Sequence, residues 1–233
     1  MRNRRLSAAL LAVVTLFAAG CLVGFELPAS AADEGVPVTS IDFSKPEHRA
    51  IVVQPYPVQF QFEADKFGDT AIVFPGVQGQ EAPLSWQRFV WLDLPEPVDT
   101  FTISLDQIGY PGKFQSLGVL FGIQDARNYY HIYLTHTDTT HVGRVTNRNN
   151  TVLCRPGIAN QWTQNAEVYQ TFVLTVSRDG NDLVIGAVGN GKPLPIDGCR
   201  IPAAGYKAGK IGIGGNSHQS HAFAYKNIVI KQQ

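Results

Sequence analysis

Phe172-Val173-Leu174-Thr175-Val176-Ser177-Arg178-Asp179-Gly180-Asn181-Asp182-Leu183-Val184-Ile185-Gly186-Ala187 is the stretch from which the fold is read. Phe172, Leu174 and Val176 alternate with Val173, Thr175 and Ser177, and Leu183, Ile185 and Ala187 resume the same period beyond a polar break. A period of two puts every second side chain on one face of an extended strand. Asp179-Gly180-Asn181 supplies positive φ at little steric cost, so the two runs read as one antiparallel hairpin.

The same period recurs outward from there. Val58, Phe60 and Phe62 alternate with Gln59, Gln61 and Glu63, and Phe101, Ile103 and Leu105 with Thr102, Ser104 and Asp106. Further strands are expected over Trp86 to Leu94, Leu117 to Gln124, Tyr129 to His136, Val142 to Thr146, Lys210 to Gly214 and Ala222 to Ile230. Beyond the N-terminal segment no stretch sustains a helical period. Many short strands divided by Gly, Pro, Asn and Asp turns predict an all-β chain: two antiparallel sheets packed face to face as a jelly-roll sandwich.

The N-terminus has a different character. Met-Arg-Asn-Arg-Arg precedes a nearly unbroken apolar run from Leu6 to Phe25, and Ala29-Ser30-Ala31 follows. That order predicts a secretory signal over residues 1–31, cut after Ala31, and one sandwich domain over 32–233. Ala18-Ala19-Gly20-Cys21 offers a lipoprotein alternative, weakened by the apolar Leu-Val-Gly-Phe after Cys21 and by Ala rather than Leu at position 18. No later segment has the roughly 18 consecutive apolar residues of a spanning helix. The predicted location is therefore extracellular or cell-surface.

Losing the signal removes three arginines and one glutamate, so 16 of 19 basic and 18 of 19 acidic residues remain and the mature chain is nearly neutral. With no Lys/Arg cluster, a nucleic-acid partner is not expected. Cys154 and Cys199 are then the remaining cysteines, and export to an oxidising compartment predicts a disulfide between them, with two buried thiols as the alternative.

Several stretches, taken in order, resemble the concanavalin A-like lectin and glucanase superfamily, in particular laminin-G-like domains and exported bacterial domains related to 3-keto-disaccharide hydrolases. They are Gly118-Val119-Leu120-Phe121-Gly122-Ile123-Gln124-Asp125 with Asn128-Tyr129-Tyr130, the hairpin above, Gly209-Lys210-Ile211-Gly212-Ile213-Gly214, and Tyr225-Lys226-Asn227-Ile228-Val229-Ile230. The resemblance runs from about Leu117 to the C-terminus. It implies the sandwich, and it spans lectins, hydrolases, lyases and adhesion modules, so activity must come from the site.

Retaining glucanases of this fold place two or three carboxylates on alternate positions of one strand. No Glu-x-Asp-x-Glu run occurs, and Asp93 with Glu96 or Glu63 with Asp65 cross a proline or enter a turn. Gly205-Tyr206-Lys207-Ala208-Gly209 is similar to the Tyr-x-Lys-Ala-Gly piece of alginate lyases, but the companion Arg-x-Glu strand is absent and Gln219-Ser220-His221 comes after rather than before it. Neither a Gly-x-Ser-x-Gly elbow nor an HExxH pair occurs. His131, His136 and His141 recur at an interval that puts neighbours on opposite faces, so no metal site is assigned. Asn149-Asn150-Thr151 is a glycosylation sequon relevant only in a eukaryotic host.

The strand Tyr129-Tyr130-His131-Ile132-Tyr133-Leu134 divides by parity. Tyr130, Ile132 and Leu134 read as core, while Tyr129, His131 and Tyr133 share the other face, where aromatic rings suit the apolar faces of a sugar. Cross-strand aromatic packing is the structural alternative. Asp125 and Asn128, in the preceding turn, either contact sugar hydroxyls or calcium or serve as ordinary turn residues. The expectation is a secreted carbohydrate-recognition domain binding a polysaccharide or cell-wall glycan through Tyr129, His131, Tyr133, Asp125 and Asn128. No cofactor is assigned beyond the calcium option. A glycoside hydrolase or polysaccharide lyase, and an adhesion module with a protein partner, stand as alternatives.

Overall fold

The computed structural model describes residues 38–55, 60–65, 67–74, 89–109, 116–135, 139–158, 169–215 and 223–233. In chain order the elements are β1 (Val38–Ile41), α1 (Pro46–Ala50), β2 (Val52–Val53), β3 (Gln61–Ala64), β4 (Thr70–Phe74), β5 (Phe89–Leu92), β6 (Phe101–Gly109) and β7 (Ser116–Asp125). They continue as β8 (Asn128–Thr135), β9 (Thr139–Thr146), β10 (Asn149–Ile158), β11 (Gln170–Asp179), β12 (Asp182–Gly189), β13 (Lys192–Pro193), β14 (Cys199–Pro202), β15 (Lys210–Gly214) and β16 (Phe223–Gln232). These elements belong to a compact unit spanning Val36–Gln233, and Met1–Gly35 lies outside the described residues. No helix among the described residues is long and apolar enough to cross a membrane.

The β11–β12 hairpin forms as the sequence predicts. Asp179 faces Asp182 across Gly180-Asn181, and Gly180 takes φ +60°, so the glycine sits at the first central position of a two-residue turn. β11 and β12 lie in a nine-stranded antiparallel sheet ordered β13-β12-β11-β6-β16-β4-β3, with β1 also on β16 and β14 on β12. The second sheet runs β10-β9-β8-β7-β15-β5-β2. The register sets Leu105, Ile103 and Phe101 opposite Phe172, Leu174 and Val176. Their shared face packs on Val90, Leu92, Phe121, Ile132, Leu134, Ile211 and Ile213 of the other sheet. Each fully buried side chain of this size contributes about 2 kcal/mol of transfer free energy, which makes this layer the main stabilising term.

The seven-stranded sheet is also apolar on its far face. Phe89, Leu120, Ile123, Tyr129 and Val145 form a second buried cluster against which Trp91 packs. This second layer explains why β7 reads as Val-Leu-Phe-Gly-Ile rather than as clean alternation: both faces are covered.

Several strands escaped the period-two reading. β4 is buried on both sides, with Ile72 and Phe74 in the main core and Ala71 and Val73 in a small cluster with Ala224. β10 is an edge strand with two register shifts around Cys154 and Arg155-Pro156-Gly157, which erase its alternation. β1, β2, β13 and β14 are too short to show a period. The strand expected from Val58 begins at Gln61, and Val58 lies outside the described residues. Of the strand expected from Trp86, the described part spans Phe89–Leu92 and stops before Asp93 and the prolines that follow. α1 is a single short helix with Pro46 in its first turn, where a missing N–H costs nothing.

Candidate functional site

The site is set by an irregularity in β7. Gly122 takes φ +56°, and the register of β7 slips against both β8 and β15 beside it. A Cβ at Gly122 would lie 2.6 Å from the Tyr206 ring and 3.2 Å from the Lys207 carbonyl, so only glycine lets the segment before β15 rest on the bulged strand. Tyr206 is fixed there by its hydroxyl, which donates to the Asp99 carbonyl at 2.5 Å, and by a T-shaped contact with Tyr130 at 5.4 Å. Burial pushes the Tyr206 phenol well above its ordinary pKa, so it remains a neutral donor. Gln124 closes the same corner by donating to the Ala208 carbonyl at 2.8 Å.

Two turns complete the wall. Asp125 accepts from the Arg127 amide at 2.6 Å and from the Asn128 side-chain amide at 2.9 and 3.0 Å. Those bonds, that from Asn128 first, hold the Asp125 carboxyl below its usual pKa. Asn128 in turn accepts from the Asn147 amide at 3.1 Å, which ties the β7–β8 turn to the β9–β10 turn. In the latter both Asn147 and Arg148 have positive φ, +51° and +73°, as a two-residue turn with matching twist requires.

Between these turns and the Gly205–Lys207 segment lies a cavity of about 400 Å³, lined among others by Gln124, Asn128, Tyr129, Tyr130, Arg144 and Lys207. The Tyr130 hydroxyl and the Arg144 Nε are buried there without a hydrogen-bond partner. Arg144 faces Tyr130 across the β8–β9 ladder, on the same strand face as Val142. A second cavity, of about 320 Å³, lies on the other side of Gln124 and is bounded by Glu96, Pro97, Gly209 and Lys210. Such volumes suit one or two sugar rings, and the mixture of aromatic walls with a few polar groups is typical of small-ligand sites.

The residues expected to bind sugar are thus divided. Asn128 and Tyr129 line the larger cavity, whereas Asp125 spends its oxygens on the turn. His131 and Tyr133 do share a face with Tyr129, as parity predicts, but the expected exposed platform is corrected: Tyr129, His131 and Tyr133 are 2%, 0% and 6% exposed. Alternation tells which face a side chain takes, not whether that face meets water. Here the far side of the sheet carries its own apolar layer. His131 sits over Gly143, where a Cβ would come within 2.4 Å of its Nε2, and its ring approaches Tyr133 at 4.7 Å and His141 at 5.4 Å. Burial, helped by His141, pulls its pKa down to about 3.

Arg144, Gln124, Tyr130 and Lys207 were not anticipated as site residues. Arg144 did carry a signal, because Val142-Gly143-Arg144 places a charge at a core-parity position. Among the described residues no group of three His, Cys, Asp or Glu side chains is arranged to hold a metal ion. His136, His218, His221, Trp86 and Trp162 lie outside the described residues. Cys154 and Cys199 are joined in a disulfide with Cα atoms 6.4 Å apart, linking β10 of one sheet to β14 of the other.

The sequence matches no protein-family model and no curated protein. The fold is nevertheless shared with solved lectin-like structures. A legume lectin-like domain from Entamoeba histolytica is 13% identical, with 84% of this chain and 97% of that one covered at a TM-score of 0.56. A Bacillus subtilis protein of unknown function with a galectin-like fold is 11% identical, covering 83% and 94%, at 0.55. The potassium-bound Emp46p carbohydrate recognition domain is 12% identical, covering 79% and 89%, at 0.52. At these identities the likeness shows a two-sheet, lectin-like sandwich fold and nothing finer.

Proposed function

We propose that this chain is an exported carbohydrate-recognition domain that holds a polysaccharide or cell-wall glycan at the end of its sandwich. The observation that carries the reading is the cavity of about 400 Å³ with a buried, unpartnered Tyr130 hydroxyl and Arg144 Nε in its lining. Unpaired buried polar groups cost free energy, and a ligand rich in hydroxyls relieves that cost where an apolar one would not. Gln124 and Asn128 offer amides at the rim. The second cavity beyond Gln124 gives room for a neighbouring residue of the same chain.

The described lining of the two cavities carries a single carboxylate, Glu96 of the second one, so the acid–nucleophile pair of a glycosidase is not assembled there, which favours binding over cleavage. Export rests on the 1–31 leader, and the Cys154–Cys199 bridge is compatible with an oxidising compartment. The test is retention of the purified protein on a panel of insoluble polysaccharides and cell walls, with released soluble sugar assayed in parallel. Retention without release is expected, and Gln124→Trp, which fills the mouth shared by both cavities, should lower retention at least about tenfold. Unchanged retention by a folded Gln124→Trp protein would remove the glycan from this cavity, and sugar release would make the protein an enzyme.

A further inference from the structure

We infer that the sugar held in the larger cavity is acidic, its carboxylate or sulfate ester seated on Arg144. This deepens, and rests on, the glycan-binding reading of the same cavity.

The inference starts from how this protein treats the other cations it withdraws from water, Arg49, Lys210 and Lys226, and two of its exposed arginines. Arg178 pairs with Asp99 through two hydrogen bonds, at 3.0 and 2.9 Å. Arg200 pairs with Asp179 and Asp182, Lys210 with Asp93, and Lys226 with Asp65 and Asp69. Even Arg49, with no acid beside it, donates to the Phe43 carbonyl at 2.5 Å. Arg144 is half-buried and lines a cavity, yet among the described residues it has neither an ion pair nor a hydrogen bond, and its Nε is shut off from solvent. At Nε this guanidinium loses hydration without compensation, and an anion seated on the group offsets that loss.

The surroundings fit an anion rather than a neutral sugar alone. Among the described residues no Asp or Glu lines the cavity, while Lys207 does. Arg127 and Arg148 sit on the two turns that form its rim, and the nearby Asp125 is engaged by the Asn128 and Arg127 bonds. In a chain of zero net charge this corner is a local concentration of positive charge. The Arg144 fork matches the two oxygens of a carboxylate, or two of a sulfate, and Tyr130, its cross-strand neighbour, carries a buried hydroxyl that is a further donor.

The test compares binding of the purified protein to four probes of equal length: an oligouronide, the same oligosaccharide with its carboxyl groups reduced to alcohols, a neutral oligosaccharide, and its sulfated form. Tighter binding of the oligouronide than of its reduced form, or of the sulfated than of the neutral sugar, by at least tenfold is expected. Which pair shows the gap identifies carboxylate or sulfate as the ligand chemistry. Arg144→Gln should erase the gap while leaving neutral-sugar binding in place, and Arg144→Lys should retain part of it. Should Arg144→Gln fail to fold, Lys207→Gln is expected to narrow the gap, and the wild-type ratios alone decide. Equal affinity for acidic and neutral probes would overturn this inference and leave glycan binding standing. No binding to any of the four, nor to the polysaccharide panel, would overturn the glycan reading itself.

Discussion

Lys226 is buried on the outer side of the nine-stranded sheet, stacked 4.0 Å above the Tyr169 ring and paired with Asp65 and Asp69. Asp65 is buried as well, and burial works to raise its pKa. The Tyr169 hydroxyl at 2.5 Å, the Phe67 amide, Lys226 and the Asp69 amide together outweigh that and hold it below its ordinary 3.8. A carboxyl with a lowered folded-state pKa contributes stability above its unfolded value and loses it as pH falls through the folded one. Asp65→Asn is therefore expected to cost roughly 2 kcal/mol at neutral pH in denaturant titrations, with the difference from wild type closing as pH falls below 3.8 and through the lowered folded-state value. His131 acts in a higher window. Its pKa is depressed from 6.5 to about 3, so the stability it contributes while neutral is full above pH 6.5 and is lost progressively as pH falls toward 3. Since neither ring nitrogen has a partner, His131→Phe should be neutral or stabilising by up to about 1 kcal/mol and should flatten the melting temperature between pH 6.5 and 4. A loss above about 2 kcal/mol would instead mean that the imidazole is hydrogen-bonded.

At the scale of elements, the bulge in β7 and the bridge from β10 carry the arrangement. Gly122→Ala sets a Cβ into the Tyr206 ring at a left-handed backbone position, so it should cost at least about 2 kcal/mol and loosen the 205–209 segment that walls both cavities. Glycan retention should fall in step with the extent of that loosening, read by hydrogen exchange. β10 is an edge strand interrupted by Pro156 and two register shifts, and its bond to Cys199 on β14 holds it to the opposite sheet. With the two cysteines 45 positions apart in sequence, the loop-entropy account gives the bridge about 4 kcal/mol. Cys154→Ser is expected to show that loss in chemical denaturation, and reductant should lower the stability of the wild type but not of the variant. Asn227 makes the comparable joint in β16: with φ +52° at a register shift, it donates to Asp106, which also accepts from Thr171 at 2.6 Å.

For the molecule as a whole, the proposed leader is tested by the N-terminus of the exported protein. Mass spectrometry should find Ala32 as the first residue, whereas a lipid-modified Cys21 would assign lipoprotein processing instead. The sandwich itself was legible because a sheet with one buried face writes its parity into the chain: Phe101 to Leu105, Phe172 to Val176 and Lys210 to Gly214 lie where alternation or glycine spacing predicted. Strands such as β4 and β10 were not, since burial on both faces or an irregular edge removes the period. The cavity was only half legible. Asn128 and Tyr129 were singled out, but Arg144, Gln124 and Lys207 come from separate segments that the Gly122 bulge and the Tyr206 anchor bring together. By itself the sequence determined the all-β class, the two-sheet packing, the hairpin turn and the face on which each aromatic residue of β8 falls, because these depend on neighbours along the chain. Only the tertiary structure decided that Tyr129, His131 and Tyr133 are buried, Tyr129 within a second apolar cluster, and that an arginine without a counter-ion among the described residues borders a cavity. Solvent exposure and charge pairing depend on what packs across from a residue, and strand periodicity carries no record of that.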